Sequence, residues 1–140
     1  MKKDIEVQFF DVMTDPERIK VCEENGSFNK TVGGSLEVVN LKMYVLQYLN
    51  VPMTMTQDVA NRISDKLTIV CNGDGQLRNL PFNTFCIRGK FFIGAMYSNG
   101  FRSLTNNQSA DVLDLFAAYM WQQKAWHEAY NNMIGRYRAS

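Results

Sequence analysis

The C-terminal segment 108–137 carries the pattern that most restricts how this chain can fold. Apolar and aromatic side chains recur in it at a seven-residue spacing and on the neighbouring stripe: Val112, Phe116, Tyr119, Trp126, Tyr130, Met133 and Tyr137. No proline interrupts the pattern, and Ser109 can cap a helix that has Asp111 in its first turn. The segment is therefore predicted to form one long amphipathic helix.

A helix of this length would extend beyond the domain that carries it. About twenty-five residues at a rise of about 1.5 Å each span roughly 38 Å, whereas a domain of this size has a radius of gyration of about 14 Å. We therefore expect a homo-oligomer whose interface contains Tyr119, Trp126, Tyr130 and Met133. The alternative is a break near Gln123 that folds the second half of the helix back onto its own domain.

The rest of the chain favours β-structure. β-Branched and aromatic residues are dense in several segments that we predict as strands: 5–12, 35–41, 67–71, 76–80, 84–87 and 90–97. The clearest hairpin joins Leu67–Cys71 to Gln76–Leu80 across Asn72–Gly75, because Asn-Gly and Asp-Gly tolerate the positive φ of a tight turn. Ser98–Gly100 is predicted as another turn.

Short helices complete the prediction. Pro16 and the acids Asp15 and Glu17 favour a helix that begins near Thr14 and ends at Asn25-Gly26. Residues 41–66 are predicted as a helical insertion with helices over 41–49 and 56–66, although the first of these also contains strand-favouring residues. The sequence thus predicts an α+β fold in a single domain, 1–140. A small antiparallel sheet with short helices occupies 1–107, and the long helix occupies 108–137.

Charge and cysteine content exclude several classes of protein. Fifteen Lys and Arg against fourteen Asp and Glu leave a formal net charge of +1, which disfavours an acidic DNA mimic and a non-specific nucleic-acid binder. Cys22, Cys71 and Cys86 are widely spaced and His127 is the only histidine, so a Cys/His zinc site is not expected. No signal-peptide core or bilayer-spanning apolar run is present. We expect a cytoplasmic protein with reduced thiols and no metal.

Catalytic motifs are missing from the sequence. It contains no phosphate-binding P-loop, dinucleotide-binding glycine pattern, nucleophile elbow or HExxH zinc motif. His127 lies beside Glu128 within the aromatic helix, where packing or solvation explains it better than a catalytic triad. Asp111 and Asp114 fit the start of a helix and need no catalytic role. We therefore expect a protein that is not an enzyme and needs no cofactor.

Four segments form an ordered set: Val32–Val39 (VGGSLEVV), Cys71–Asn83 (CNGDGQLRNLPFN), Gly89–Gly94 (GKFFIG) and Ser103–Thr105 (SLT). They resemble, in the same order, the VGGxIEVV, CNxDGxLxxLPxN, GTFFIVG and SLT pieces of a small domain of unknown function. That domain is common in bacteriophages, prophages and conjugative plasmids. The resemblance covers about half of the chain and implies a mobile-element origin and a compact α+β fold. It implies no reaction.

Three features depart from this family. Residues 41–66 stand where the family usually runs directly into the next strand. Thr84 occupies the position of an arginine that often follows the LPxN motif, so no role for that arginine is carried over. The C-terminal helix is also longer than the family core implies.

Three hypotheses for function follow. The first is a phage accessory protein, in the host-cell cytoplasm, that counters bacterial immunity by sequestering a cyclic-nucleotide or ADP-ribose-type signal. The second is a module that inhibits a host or defence enzyme through the aromatic helix. The third is a structural or DNA-associated phage protein whose tail, Arg136–Arg138, touches phosphate. Arginines, aromatic rings and amides near the predicted hairpin are the candidate nucleotide contacts: Asn72, Asp74, Arg78, Asn83, Arg88, Phe91, Tyr97 and Arg102.

Overall fold

The computed structural model describes residues 4–12, 14–23, 26–46, 61–82, 85, 87–118, 128 and 131–132. Six strands are formed within these ranges: β1 Asp4–Phe10, β2 Glu17–Cys22, β3 Leu36–Asn40, β4 Leu67–Asn72, β5 Phe91–Tyr97 and β6 Gly100–Arg102. The helices are α1 Ser27–Val32, α2 Leu41–Tyr44 and α3 over 106–118. The predicted α+β class with an antiparallel sheet is therefore confirmed.

The strands form one antiparallel sheet in the order β2-β1-β5-β4-β3. β5 is central, since it pairs with β4 along one side and with both β1 and β6 along the other. The turn predicted at Ser98–Gly100 joins β5 to β6. Strands β2 and β3 are the two ends of this order.

Successive side chains along each strand point to opposite faces of the sheet, so a hydrophobic core forms on each face. The larger core is covered by α2 and α3 and includes Phe10, Ile69, Phe91, Val112 and Leu115. The smaller core lies on the opposite face under α1 and includes Val7, Val32, Val70 and Phe92. Because all six positions of β4 are buried, this strand packs on both faces and shows no polar alternation.

The predicted hairpin is wrong. Leu67–Cys71 is a strand, but it pairs with β3 and β5, and 76–79 lies in turns. A buried central strand requires two apolar neighbours, and the polar segment Gln76–Leu80 cannot serve as one. Further along the chain, Phe85 and Ile87 also lie outside the strands, so no strand is formed at these described positions of 84–87.

The helix predicted from Thr14 is also wrong, because Glu17–Cys22 forms β2. Ile19 and Val21 alternate with polar residues and pair with β1, which outweighs the helix-start signal of Pro16. The helix in this part of the chain is α1, which begins at Ser27. Its N-cap residue, Gly26, has a left-handed backbone conformation with φ 84°.

The predicted insertion is described only at its ends. α2 begins at Leu41, and the Asn40 side chain caps it by accepting a hydrogen bond from the Met43 N–H. Residues 61–62 are helical and residue 63 is not, so the helix predicted over 56–66 ends at residue 62. Ile63 is buried in the larger core. Asn40 Nδ2 donates to the carbonyl of Asp65 at 2.7 Å, which joins the two ends of the segment.

The C-terminal helix starts earlier than predicted. Gln108 N–H donates to Thr105 Oγ1 at 3.1 Å, and Thr105 N–H donates to Gln108 Oε1 at 2.9 Å. This reciprocal capping box starts the helix at 106, so the predicted cap at Ser109 is wrong. Described positions 128, 131 and 132 are helical as well. The predicted interface residues lie outside the described residues: Tyr119, Trp126, Tyr130 and Met133.

Candidate functional site

A turn at the end of β4 is held against the loop that precedes β3. Asn72 is buried, its Nδ2 donates to the Val32 carbonyl at 3.2 Å, and its Oδ1 accepts from the Asp74 N–H at 2.8 Å. The Gly73 N–H donates to the Ser35 carbonyl at 2.8 Å. Two segments of the family resemblance, VGGS and CNGDG, are therefore adjacent in space.

This contact leaves no room for a side chain at Gly34. A Cβ built there would lie 2.8 Å from both terminal atoms of the Asn72 amide, well inside van der Waals contact. The loop is further tied by Arg78, whose Nη1 donates to the Gly33 carbonyl at 2.8 Å. The loop and turn thus form one packed unit.

A cleft of about 250 Å³ opens beside this unit on the face that carries the larger core. Its floor is apolar, and its walls come from β3, α2, the β4 turn and the segment before β5. The lining residues are Glu37, Val39, Tyr44, Ile69, Cys71, Asn72, Gly73, Gly75, Gln76, Ile87 and Arg88. Only one acid and one base are among them.

The base is Arg88, and its guanidinium is fixed in position. It lies 4.2 Å from the centre of the Phe82 ring, a cation–π geometry. Its Nη1 donates to the Leu80 carbonyl and to Asn79 Oδ1, both at 3.1 Å. Nε and Nη2 make no hydrogen bond to any residue that the structure describes. Arg88 thus keeps donors for an anion.

The acid is Glu37, on the β3 side of the cleft. It is exposed, and within the described ranges its carboxylate forms neither an ion pair nor a hydrogen bond. The cleft therefore presents an acceptor on one wall and a donor on another. Such a pair suits a ligand that carries both an anionic group and hydrogen-bond donors.

Cys71 lies at the floor of the cleft and is a poor nucleophile. Burial, together with the negative charge of Glu37, raises the pKa of the Cys71 thiol from 9.0 to about 11. Its Sγ lies 3.5 Å from the Glu37 carbonyl oxygen, to which it donates. Since the thiolate is the reactive form, the raised pKa leaves the Cys71 thiol protonated and weakly nucleophilic near neutral pH.

The predicted nucleotide contacts do not come together in one place. Asn72 and Arg88 line the cleft. Asp74 and Arg78 bind the β3 loop, with Asp74 Oδ2 accepting from the Ser35 N–H at 3.3 Å. These interactions give Asp74 and Arg78 a structural role.

The other predicted contacts that the structure describes lie elsewhere. Phe91 is fully buried and stacks on Phe10 with ring centres 4.7 Å apart, so it packs the core and is out of a ligand's reach. Tyr97 and Arg102 are at the opposite end of β5, where the guanidinium lies 4.6 Å from the ring centre. Asn83 lies outside the described residues.

Sequence reasoning missed several lining residues, notably Glu37, Tyr44, Gln76 and Ile87. The hairpin prediction paired β4 with the wrong segment, which removed β3 and α2 from its neighbourhood. The alternation of Val38 and Val39 puts Glu37 on the same face of β3 as Val39. Nothing in the local sequence placed β3 beside β4, so Glu37 was not recognised as a lining residue.

Two further kinds of functional feature are absent from the described ranges. Among these residues, no three His, Cys, Asp or Glu side chains are grouped closely enough to bind a metal ion. No described helix has both the length and the apolarity to cross a membrane. Comparisons with protein-family models, curated proteins and solved structures found no significant match.

Proposed function

We propose that this protein is a mobile-element accessory protein that binds a nucleotide immune signal in the Glu37–Arg88 cleft without catalysis. It would act in the cytoplasm of the host cell and sequester the signal from the defence system. The observation that carries this proposal is the position of Arg88, a fixed guanidinium with unused donors beside a cleft that is lined by both apolar and polar side chains.

The lining chemistry matches the parts of a nucleotide. Arg88 would bind a phosphate through Nε and Nη2. Ile69 and Ile87 provide apolar surface for a base, and Glu37 can accept hydrogen bonds from an amino group or a ribose hydroxyl. The high pKa of the Cys71 thiol supports binding rather than turnover, because no activated nucleophile faces the ligand from this floor.

The size of the cleft limits what it can hold. Its volume of about 250 Å³ is below the range of about 300–1,000 Å³ for pockets that enclose drug-sized ligands. One nucleoside unit is therefore the largest part of the signal that this cleft would enclose. The remainder of a cyclic di- or trinucleotide, or of an ADP-ribose derivative, would extend beyond it.

We further propose that α3 continues as one helix to about residue 137 and that its aromatic stripe holds a homo-oligomer. The spacing of Tyr119, Trp126 and Met133 supports this, as do the helical positions at 128, 131 and 132. The mobile-element origin is supported by the ordered resemblance, whose VGGS and CNGDG segments contact each other in the fold.

The test is a thermal-shift screen of the full chain against mononucleotides, cyclic di- and trinucleotides and ADP-ribose derivatives. A ligand at about 100 times its dissociation constant should stabilise the fold by about 2.7 kcal/mol. Arg88→Ala should abolish the shift, measured against its own ligand-free melting temperature. Arg102→Ala is the matched control, since Arg102 also stacks on an aromatic ring but lies away from the cleft.

Two results would contradict the proposal. One is a wild-type protein that none of these nucleotides stabilises. The other is an equal loss of the shift in Arg88→Ala and Arg102→Ala. Capture of one host protein in the absence of any nucleotide effect would favour the inhibitory protein-binding module instead.

A further inference from the structure

The two outer strands of the sheet differ in how their free edges are protected. β2 carries Glu17, Arg18 and Lys20, and charged side chains on an edge strand oppose pairing with another chain. β3 contains a single charge, Glu37, and exposes Leu36 and Val38 by 39% and 47%. It has no proline, no lysine and a continuous register with β4.

The backbone groups of β3 that face outward can be assigned from the ladder. The Gly73 N–H donates to the Ser35 carbonyl, and this pair extends the register Leu36↔Asn72. Since hydrogen-bonded and non-hydrogen-bonded pairs alternate in antiparallel ladders, Glu37 and Val39 point their N–H and C=O groups toward β4. Leu36 and Val38 therefore point theirs toward the open edge.

The hydrogen bonds between β4 and β5 lead to the same assignment of inward-pointing and outward-pointing residues. The Met96 N–H donates to the Lys66 carbonyl at 2.8 Å, so even-numbered positions of β4 bond β5 and odd-numbered positions bond β3. No residue that the structure describes makes a backbone hydrogen bond to Leu36 or Val38 from outside the sheet. Within the described part of the chain, the edge thus offers aliphatic side chains together with unpaired backbone donors and acceptors.

We propose that β3 pairs antiparallel with β3 of a second copy of this chain, centred on Val38, so that the sheet continues across a two-fold axis. A second copy fits because the strand is complementary to itself in this register. Val38 faces its own equivalent and exchanges both hydrogen bonds with it. Glu37 faces Val39 of the partner subunit, so the two carboxylates are not directly opposed. A net charge of +1 adds little repulsion between copies.

The pairing also affects the cleft. A two-fold axis perpendicular to a continuous sheet leaves the same face of both subunits on one side. The two clefts would then open on that side, each bordered along Glu37 by β3 of the partner subunit. This extension would accommodate the part of a nucleotide signal that one cleft cannot enclose. That consequence rests on the proposed function, whereas the strand pairing does not require a ligand.

The experiment compares edge variants of the full chain by sedimentation velocity over a concentration series without ligand. Val38→Lys places a charge on the edge and should weaken self-association by at least about tenfold, as like charges disfavour adjacent strands. Met96→Lys is the matched control, because Met96 is 41% exposed on the same face of the sheet but away from the β3 edge. It should associate as the wild type does.

A second variant covers the case in which Val38→Lys fails to fold. Val38→Pro removes an outward N–H and leaves the ladder to β4 intact, so it should fold and still lose the association. Val38 amide exchange in the wild type should also slow as protein concentration rises. The proposal is overturned if the wild type is monomeric at high micromolar concentration. It is also overturned if the folded Val38 variants associate as tightly as the wild type.

Discussion

The side-chain amide of Asn72 donates a hydrogen bond across 3.2 Å to the backbone carbonyl of Val32, a residue 40 positions earlier. This bond holds the loop before β3 against the turn after β4, and the cleft lies beside it. Gly34 permits this close approach because it has no side chain, and the Asn72 amide occupies the space that a Cβ would fill.

The Gly34–Asn72 contact predicts a non-additive pair of substitutions. Gly34→Ala should destabilise the fold by about 1–3 kcal/mol through overpacking, and Asn72→Ala by about 1–3 kcal/mol through the lost buried hydrogen bonds. In the double variant the clash is gone, so its loss should be smaller than the sum by at least about 0.5 kcal/mol. Urea unfolding gives the free energy of unfolding of the wild type, the two single variants and the double variant.

Gly33→Ala provides the control for that cycle. Gly33 has φ 82° with open space around its Cβ position, so alanine costs about 1–2 kcal/mol of backbone strain. That cost should add to the cost of Asn72→Ala. Coupling of the same size at both glycines would show that the effect is general loosening of the loop.

Arg18 is predicted to stabilise the junction between the sheet and α3. Its guanidinium donates to four acceptors in β1, the loop before α3 and α3 itself: Glu6 Oε2, the Leu104 carbonyl, Asn106 Oδ1 and Ser109 Oγ. Arg18→Ala should lower the free energy of unfolding by about 1–3 kcal/mol, mainly through the bond to the Leu104 carbonyl. Lys20→Ala, on the same strand, should change it by less than about 0.5 kcal/mol.

Gln8 is expected to limit stability. It is 3% exposed, and its Oε1 has no hydrogen-bond partner in the described part of the chain. Since a buried polar atom without a partner costs about 1–3 kcal/mol, Gln8→Met should raise the midpoint of urea unfolding. A lower midpoint would indicate that the Gln8 amide makes interactions worth more than its desolvation.

The raised pKa of the Cys71 thiol predicts a loss of stability at high pH. Its folded-state pKa of about 11 exceeds the ordinary value of 9.0, so the unfolded state releases the thiol proton first. The contribution of the neutral thiol is complete below about pH 9 and decreases as the pH rises toward 11. The free energy of unfolding should therefore fall more steeply in the wild type than in Cys71→Ala, by about 1 kcal/mol per pH unit over this window. In Glu37→Gln the steeper fall should end at a lower pH than in the wild type, because the charge of Glu37 is the smaller cause of the raised pKa.

Trp126 is predicted to contribute to self-association through the C-terminal helix. Burial of apolar area contributes about 25 cal/mol per Å², so Trp126→Ala should shift the species seen by light scattering toward smaller assemblies while the sheet stays folded. Combining it with Val38→Lys separates the two interfaces, because independent surfaces give additive losses. A Trp126→Ala protein that assembles as the wild type does would contradict the helix interface.

Much of the local structure followed from the sequence alone. Alternating β-branched and aromatic residues predicted β1, β3 and β5, and Leu36 and Val38 lie on one face with Val39 on the other. The turn at Ser98–Gly100 and the presence of a helix after Thr105 were also predictable. These features depend on periodicity and on residues that tolerate turns, which act within a few positions of the chain.

Strand pairing was decided only by the tertiary structure. The Asn-Gly and Asp-Gly pair does form a turn, but β4 is buried on both faces and requires apolar neighbours on both sides. β3 and β5 satisfy that requirement, whereas Gln76–Leu80 does not. Similarly, Pro16 signals a helix start locally, yet pairing with β1 makes Glu17–Cys22 a strand. The cleft depends on these same long-range strand pairings. It brings Glu37 and Arg88 together only because β3 lies beside β4, a contact that no local pattern specifies.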